Sequence, residues 1–347
     1  MQTRPKLIWA DNLRAIATIA VITLHASSGL LLQFGKVPDS YWEIGCFYNG
    51  LGRFAVPVFV MLSGALLLDR ELPVKDFLKK RFSRILYPFL FWSLIYIAVS
   101  LYYKSLHGHH LNWSNVPAWI GKLLINGSSY HFWYIYMILG LYLFIPVLGK
   151  WIRNCPRKEM YYFLAIWFVV QFLNTPYLIE YKPKLRLDYF ADYPGYLVLG
   201  YLLSKASFHR IKHKSFVFLS LSIALLAFAV CMAIYDKYHP GHRAGDWFSP
   251  TAPNVILLAS SVFLFFKSLH IRNTIIVSVL AFISRYSYGI FLVHVLVLSR
   301  MANWFQIHWN FTHPVIAIPV TAIVCLILSA TLIFLLRKIP GLKTLAG

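Results

Sequence analysis

Two residues of this 347-residue chain stand out first, because they are ionisable and lie inside apolar sequence. Arg14 and His25 both fall in WADNLRAIATIAVITLHASSGLLL, residues 9–32, with Asp11 one turn before the arginine. Ionisable groups are costly in a bilayer core, so such residues mark a functional site by default. The eleven-residue spacing returns Arg14 and His25 to within about 20° of one helical face, roughly 16 Å apart along the axis. Asp11, Arg14, Thr18 and His25 therefore form one polar stripe. A neutral imidazole in a low-dielectric site can take a proton from a hydroxyl or accept an acyl group as a nucleophile. Each part alone has an ordinary explanation: an interhelical hydrogen bond for His25, a positive-inside anchor for Arg14, an i, i+3 partner for Asp11. Their common face does not.

Four further stretches carry candidates. In NGLGRFAVPVFVMLSGALLL, residues 49–68, Arg53 must pair with a carboxylate, a backbone carbonyl or a ligand. In KDFLKKRFSRI, residues 75–85, Lys80, Arg81 and Arg84 present an R-x-x-R pair at the membrane boundary. Guanidinium forks suit phosphates there, although the positive-inside rule also explains the cluster. His131 and Trp133 open HFWYIYMILGLYLFIP, an aromatic belt or a surface for sugar rings. In FISRYSYGIFLVHVLVL, Arg285 and His294 repeat the arginine-to-histidine pattern, and Ser287 shares a face with His294. Two helices running the same way would put His25 and His294 at comparable depth, where they could meet.

The elements that position these residues are membrane spans. The chain is 59% hydrophobic, 17% aromatic and 13% charged, and apolar runs of about 18 or more residues recur along it. This predicts an all-α, polytopic membrane protein with about ten transmembrane helices. The spans are expected near 8–32, 45–68, 85–104, 131–148, 159–175, 190–205, 215–235, 253–270, 276–299 and 314–336, the sixth broken by Pro194 and Gly195. With both termini cytoplasmic, about two-thirds of the 33 Lys and Arg residues fall on the cytoplasmic side. The first segment is too long and too polar for a signal-peptide core. A net charge of +21 does not indicate nucleic-acid binding, because the basic residues sit in short clusters between spans. Cys46, Cys155, Cys231 and Cys325 form no disulfide or metal pattern, and no metal site is expected. The expected outer loops 105–130, 176–192 and 236–252 are long and aromatic, and an amphipathic run from Val116 to Ile125 is placed in the interface.

With these motifs in view, the chain resembles the acyltransferase-3 family of integral-membrane acyltransferases, particularly its surface-polysaccharide O-acetyltransferases. The resemblance rests on WADNLRAIATIAVITLH with its R-x10-H, RFAVPVFVMLSGALL, KKRFSRI, HFWYIYMILGLYLFIP and SRYSYGIFLVH. It runs from the first expected span to the ninth, as one domain over residues 1–347 with no appended soluble domain. One departure is Ala15, where members often have glycine.

The resemblance implies transfer of an acyl group, usually acetyl, from cytoplasmic acyl-CoA to a hydroxyl of an extracytoplasmic glycan or glycolipid. The setting would be the bacterial cytoplasmic membrane. The family's essential Arg and His fall on Arg14 and His25, and its basic pair on Arg81 and Arg84. Asp11, Arg53, Ser287 and His294 would support the site, Lys80 would join the CoA clamp, and His131 and Trp133 would meet the acceptor. Acetyl-CoA would be a co-substrate, with no tightly bound cofactor. The rival expectation is a secondary transporter or flippase using the stripe as a proton relay.

Overall fold

The computed structural model describes residues 7–71, 73–106, 116–175, 178, 191–239 and 247–347. These form α1 (Ile8–Leu31), α2 (Asp39–Leu51), α3 (Ala55–Leu67), α4 (Val74–Leu106), α5 (Val116–Asn126), α6 (Trp133–Asn154), α7 (Arg157–Leu173), α8 (Pro194–Lys205), α9 (Lys214–Tyr238), α10 (Pro253–Ser268), α11 (Thr274–Phe305) and α12 (Pro314–Leu336). A 3-10 turn, Tyr130–Phe132, leads into α6. Among the described residues there is no strand. Among the described residues seven helical stretches are long and apolar enough to cross a membrane, and α7, α8 and α10 occupy the positions of the fifth, sixth and eighth expected spans. The protein is an all-α, polytopic membrane protein. Of the expected outer loops, residues 107–115, 176–177, 179–190 and 240–246 lie outside the described residues.

α1 is the central helix, packed against α2, α3, α10, α11 and α12. Its sequence allows this: Ala10, Ala15, Ala17, Ala20 and Ala26 are buried, and small side chains let helix backbones approach. α9 has the opposite character, exposing Phe216, Leu221, Ile223 and Phe228 to the surroundings. Where α3 meets α8 the backbones nearly touch. A Cβ on Gly64 would lie 2.0 Å from the Leu197 carbonyl oxygen, and one on Gly200 would lie 2.1 Å from that of Met61.

Three boundaries differ from expectation. The second span is two helices, α2 and α3, separated by the turn Gly52–Phe54, and Arg53 sits in the break. The basic stretch before the third span is no loop: Lys75–Ile85 makes up most of the first three turns of a continuous 33-residue α4. Pro194 does not break the sixth span but opens α8 at its first position, where a missing N–H has no intrahelical partner to lose. Gly195 is needed beside it, because a Cβ would lie 2.0 Å from the Trp167 ring.

Candidate active site

At its N-terminal end α1 holds Asp11 and Arg14 against α11. Arg14 Nη1 donates to Asp11 Oδ1 at 3.1 Å and to Ser284 Oγ at 3.2 Å, while the Ser284 hydroxyl donates to the same carboxylate oxygen at 2.9 Å. Sequence reasoning named Arg285 and Ser287 on α11 and missed Ser284, which closes this triangle. A serine beside two more conspicuous polar residues gives no separate signal.

Arg14 also lines a cavity of about 780 Å³. Arg70, Lys80, Arg81, Arg84, Arg285, Arg337 and Lys343 share the lining with it, and among the described residues no Asp or Glu does. The expected Lys80–Arg81–Arg84 cluster is thus one wall of a larger basic chamber. Ser287 lines it too, about 10 Å along α11 from His294, which keeps the serine out of contact with the histidine. The inner end of the chamber is apolar, made by Phe59, Tyr134 and Phe291. Phe291 stands 5.2 Å from the Tyr134 ring.

Beyond Phe291 three imidazoles converge. The His25 and His294 rings lie 5.1 Å apart between centroids, so the equal depth expected of them brings them together. His131 completes the group, 5.0 Å from His294 and 6.4 Å from His25. It was expected at an outer aromatic surface, yet the 3-10 turn carries it into the core, where it is 2% exposed. Trp133, the first residue of α6, is exposed beside Tyr193 and lines neither this chamber nor the second pocket described below.

Hydrogen bonds orient each ring. His294 Nδ1 lies 2.6 Å from the Phe291 carbonyl oxygen. A carbonyl only accepts, so Nδ1 carries the proton and the neutral ring offers Nε2 as an acceptor. That Nε2 is buried without a partner, as is Nε2 of His131, whose Nδ1 lies 2.9 Å from Ser129 Oγ. The Tyr130 hydroxyl is 3.2 Å from His25 Nδ1. Among the described residues no group of three or more His, Cys, Asp or Glu side chains is placed to hold a metal ion.

Two residues that sequence reasoning missed brace this cluster. The Tyr96 hydroxyl donates to the Leu292 carbonyl at 3.1 Å and accepts from the Leu296 N–H at 2.9 Å. Those are the two groups an undisturbed helix would pair with each other, so Tyr96 enters the α11 ladder at the turn bearing His294. Asn49 is 1% exposed, and its amide donates to the Leu24 carbonyl at 3.1 Å and to Ser27 and Ser28 Oγ at 3.3 Å, on either side of His25. Its Oδ1 accepts from Arg53, whose Nη1 donates to the Phe248 carbonyl at 3.1 Å. Arg53 therefore satisfies the expectation of a backbone carbonyl partner. Its contacts tie the α2–α3 break to Phe248 and hold Asn49, which in turn grips the part of α1 that carries His25.

On the far side of the imidazoles lies a second pocket of about 500 Å³, with His25 in its lining. On α1 the basic chamber is met at Arg14 and the second pocket at His25, Ala26 and Gly29. On α11 the chamber ends at Phe291 and the pocket begins at Leu298, with His294 between them. The cluster is thus a partition between a cationic chamber and a neutral one.

The sequence matches the acyltransferase-3 family model, described as an acyltransferase domain, over residues 7–333. YfiQ of Bacillus subtilis (strain 168), provisionally named a membrane-bound acyltransferase, is 25% identical over 300 residues, covering 81% of this chain and 78% of that protein. No solved structure matches the chain.

Proposed function

This chain belongs to the acyltransferase-3 family of membrane acyltransferases, and from that premise we propose that it moves an acyl group, acetyl in the first instance, from cytoplasmic acyl-CoA to a hydroxyl of an extracytoplasmic polysaccharide or glycolipid. The observation that carries this reading is the three-histidine partition between a chamber with eight cationic residues and a pocket that reaches His25. A donor rich in phosphate needs multidentate cationic contacts, and a chamber of arginines and lysines supplies them. The basic chamber opens to the cytoplasm in this reading, which agrees with the excess of Lys and Arg expected on that side. The membrane is the cytoplasmic membrane of a bacterium.

His25 takes the proton of the acceptor hydroxyl as its oxygen bonds to the acyl carbon. The thioester C–S bond breaks, and the proton returns to the thiolate to give the free thiol. A two-step version has the same balance, with the His25 imidazole holding the acyl group between loss of the thiolate and attack by the hydroxyl. The unpartnered Nε2 of His294 is an acceptor through which the proton can pass back towards the chamber. Arg14, Arg81, Arg84 and Lys80 hold the donor, and Asp11 with Ser284 fixes Arg14. Arg53 and Asn49 position the His25 turn.

Labelled acetyl-CoA supplied to purified protein in the presence of cell-surface glycan tests the reading. Label on the glycan is the expected result. Movement of glycan across the membrane with no acyl transfer would contradict it and favour a flippase.

A further inference from the structure

The second pocket has features that proton transfer at His25 does not require. Trp309, in the segment joining α11 to α12, packs its indole edge over Gly29. A Cβ at position 29 would lie 2.9 Å from the indole nitrogen and 3.1 Å from Cδ1. Gly29 is one turn beyond His25, roughly 6 Å along α1. Gln306 closes α11 in the left-handed region, φ 56°, while the Ile307 N–H reaches the Met301 carbonyl at 3.1 Å. Glycine is the usual residue at this cap, and a larger residue held there at a cavity lining points to a use for its side chain. Thr321 of α12 is 2% exposed, lines the pocket, and has a buried Oγ1 without a partner. Asn303 adds a second amide. Among the described residues the lining contains no Asp, Glu, Lys or Arg, its ionisable side chains being the imidazoles of His25 and His308, whereas the chamber beyond the histidines has eight cations.

An indole, two amides, a buried hydroxyl and no Asp, Glu, Lys or Arg among the described lining residues are complementary to an uncharged polyhydroxylated ring. We propose that this pocket is the acceptor subsite for a neutral sugar residue, seated on Trp309, hydrogen-bonded by Asn303, Gln306 and Thr321, and presenting one hydroxyl to His25. The assignment rests on the acyl-transfer reading above. An anionic sugar would have to leave water for a pocket whose described lining offers no lysine or arginine to receive it, which is unfavourable. Asn303, Gln306, Trp309 and Thr321 are then acceptor-binding residues, and Gly29 is a positioning residue for the indole.

The test uses the full chain in detergent, with two readouts: equilibrium binding of labelled CoA, and transfer of labelled acetyl from acetyl-CoA to soluble methyl glycosides of neutral hexoses and of uronic acids. Wild-type protein should acetylate neutral glycosides and leave uronides at background. Trp309→Ala should raise KM for the neutral glycoside tenfold or more, with kcat within about threefold and CoA binding unchanged. Trp309→Phe should recover most of the loss, and Asn303→Ala and Thr321→Val should each raise KM at least threefold. Should Trp309→Ala fail to fold, Asn303→Ala and Thr321→Val carry the test. Equal transfer to uronides, unchanged KM in the variants, or a wild-type protein that binds CoA yet acetylates no neutral glycoside overturns the assignment. A wild-type protein that does not bind CoA contradicts the acyl-transfer reading instead.

Discussion

At the residue scale, the working parts are three imidazoles with different duties. His25 lines the pocket proposed for the acceptor, His294 is locked by its bond to the Phe291 carbonyl, and His131 fills the third side. His294→Asn would keep a donor near the Phe291 carbonyl and delete the acceptor at Nε2. Acyl-transfer rate should fall by about 10²-fold, the scale of a lost general base, while CoA binding and thermal stability change little. His294→Gln, which can present an amide oxygen near the Nε2 position, should lose less. A steady-state comparison of the two variants decides whether that nitrogen matters. Arg14, His25 and His294 were legible as sequence because charge in an apolar run is conspicuous and helical periodicity sets relative depth. Asn49, Tyr96 and Ser284 were not. A tyrosine or serine in a membrane helix is ordinary, and only tertiary placement shows Tyr96 entering the α11 ladder or Ser284 joining Asp11 and Arg14.

At the element scale, apolar run length located the helices well and their internal breaks poorly. Residues 39–67 form one apolar stretch, and hydropathy cannot tell a continuous helix from α2 and α3 with Arg53 at the joint. The 3-10 turn before α6 is equally hidden from hydropathy, and it carries His131 out of the aromatic belt into the core. α4 shows the converse, since the basic stretch is helical and places Lys80, Arg81 and Arg84 along one chamber wall. Packing of α3 on α8 gives a structural prediction. Gly64→Ala puts a methyl group into the Leu197 carbonyl, so the helices must separate. Overpacking of this kind costs about 1–3 kcal/mol, and the detergent-solubilised protein should melt at a lower temperature. An unchanged melting temperature would mean that this contact is looser than described.

At the scale of the whole molecule, charge is distributed by side. One end of the bundle carries a chamber lined by eight cations and the other a pocket lined by none among the described residues. Net charge alone could not reveal this, since +21 is equally compatible with a basic surface. Two consequences follow for the donor. Arg81→Gln and Arg84→Gln should each raise the KM for acetyl-CoA about tenfold, or ~1.4 kcal/mol, without changing the KM for the acceptor. Raising ionic strength should weaken acetyl-CoA binding in the wild type and do so less in the double variant. A titration of labelled CoA at several salt concentrations measures both.

The central claim is that acyl groups cross from the basic chamber to the acceptor pocket at His25. The most direct measurement uses sealed inside-out membrane vesicles carrying surface glycan in their lumen, with labelled acetyl-CoA added outside, for wild type and for His25→Ala. Wild-type vesicles should accumulate label on lumenal glycan. His25→Ala vesicles, with protein inserted and CoA binding intact, should accumulate at least 10²-fold less. Wild-type levels of labelled glycan in the His25→Ala vesicles would contradict the account.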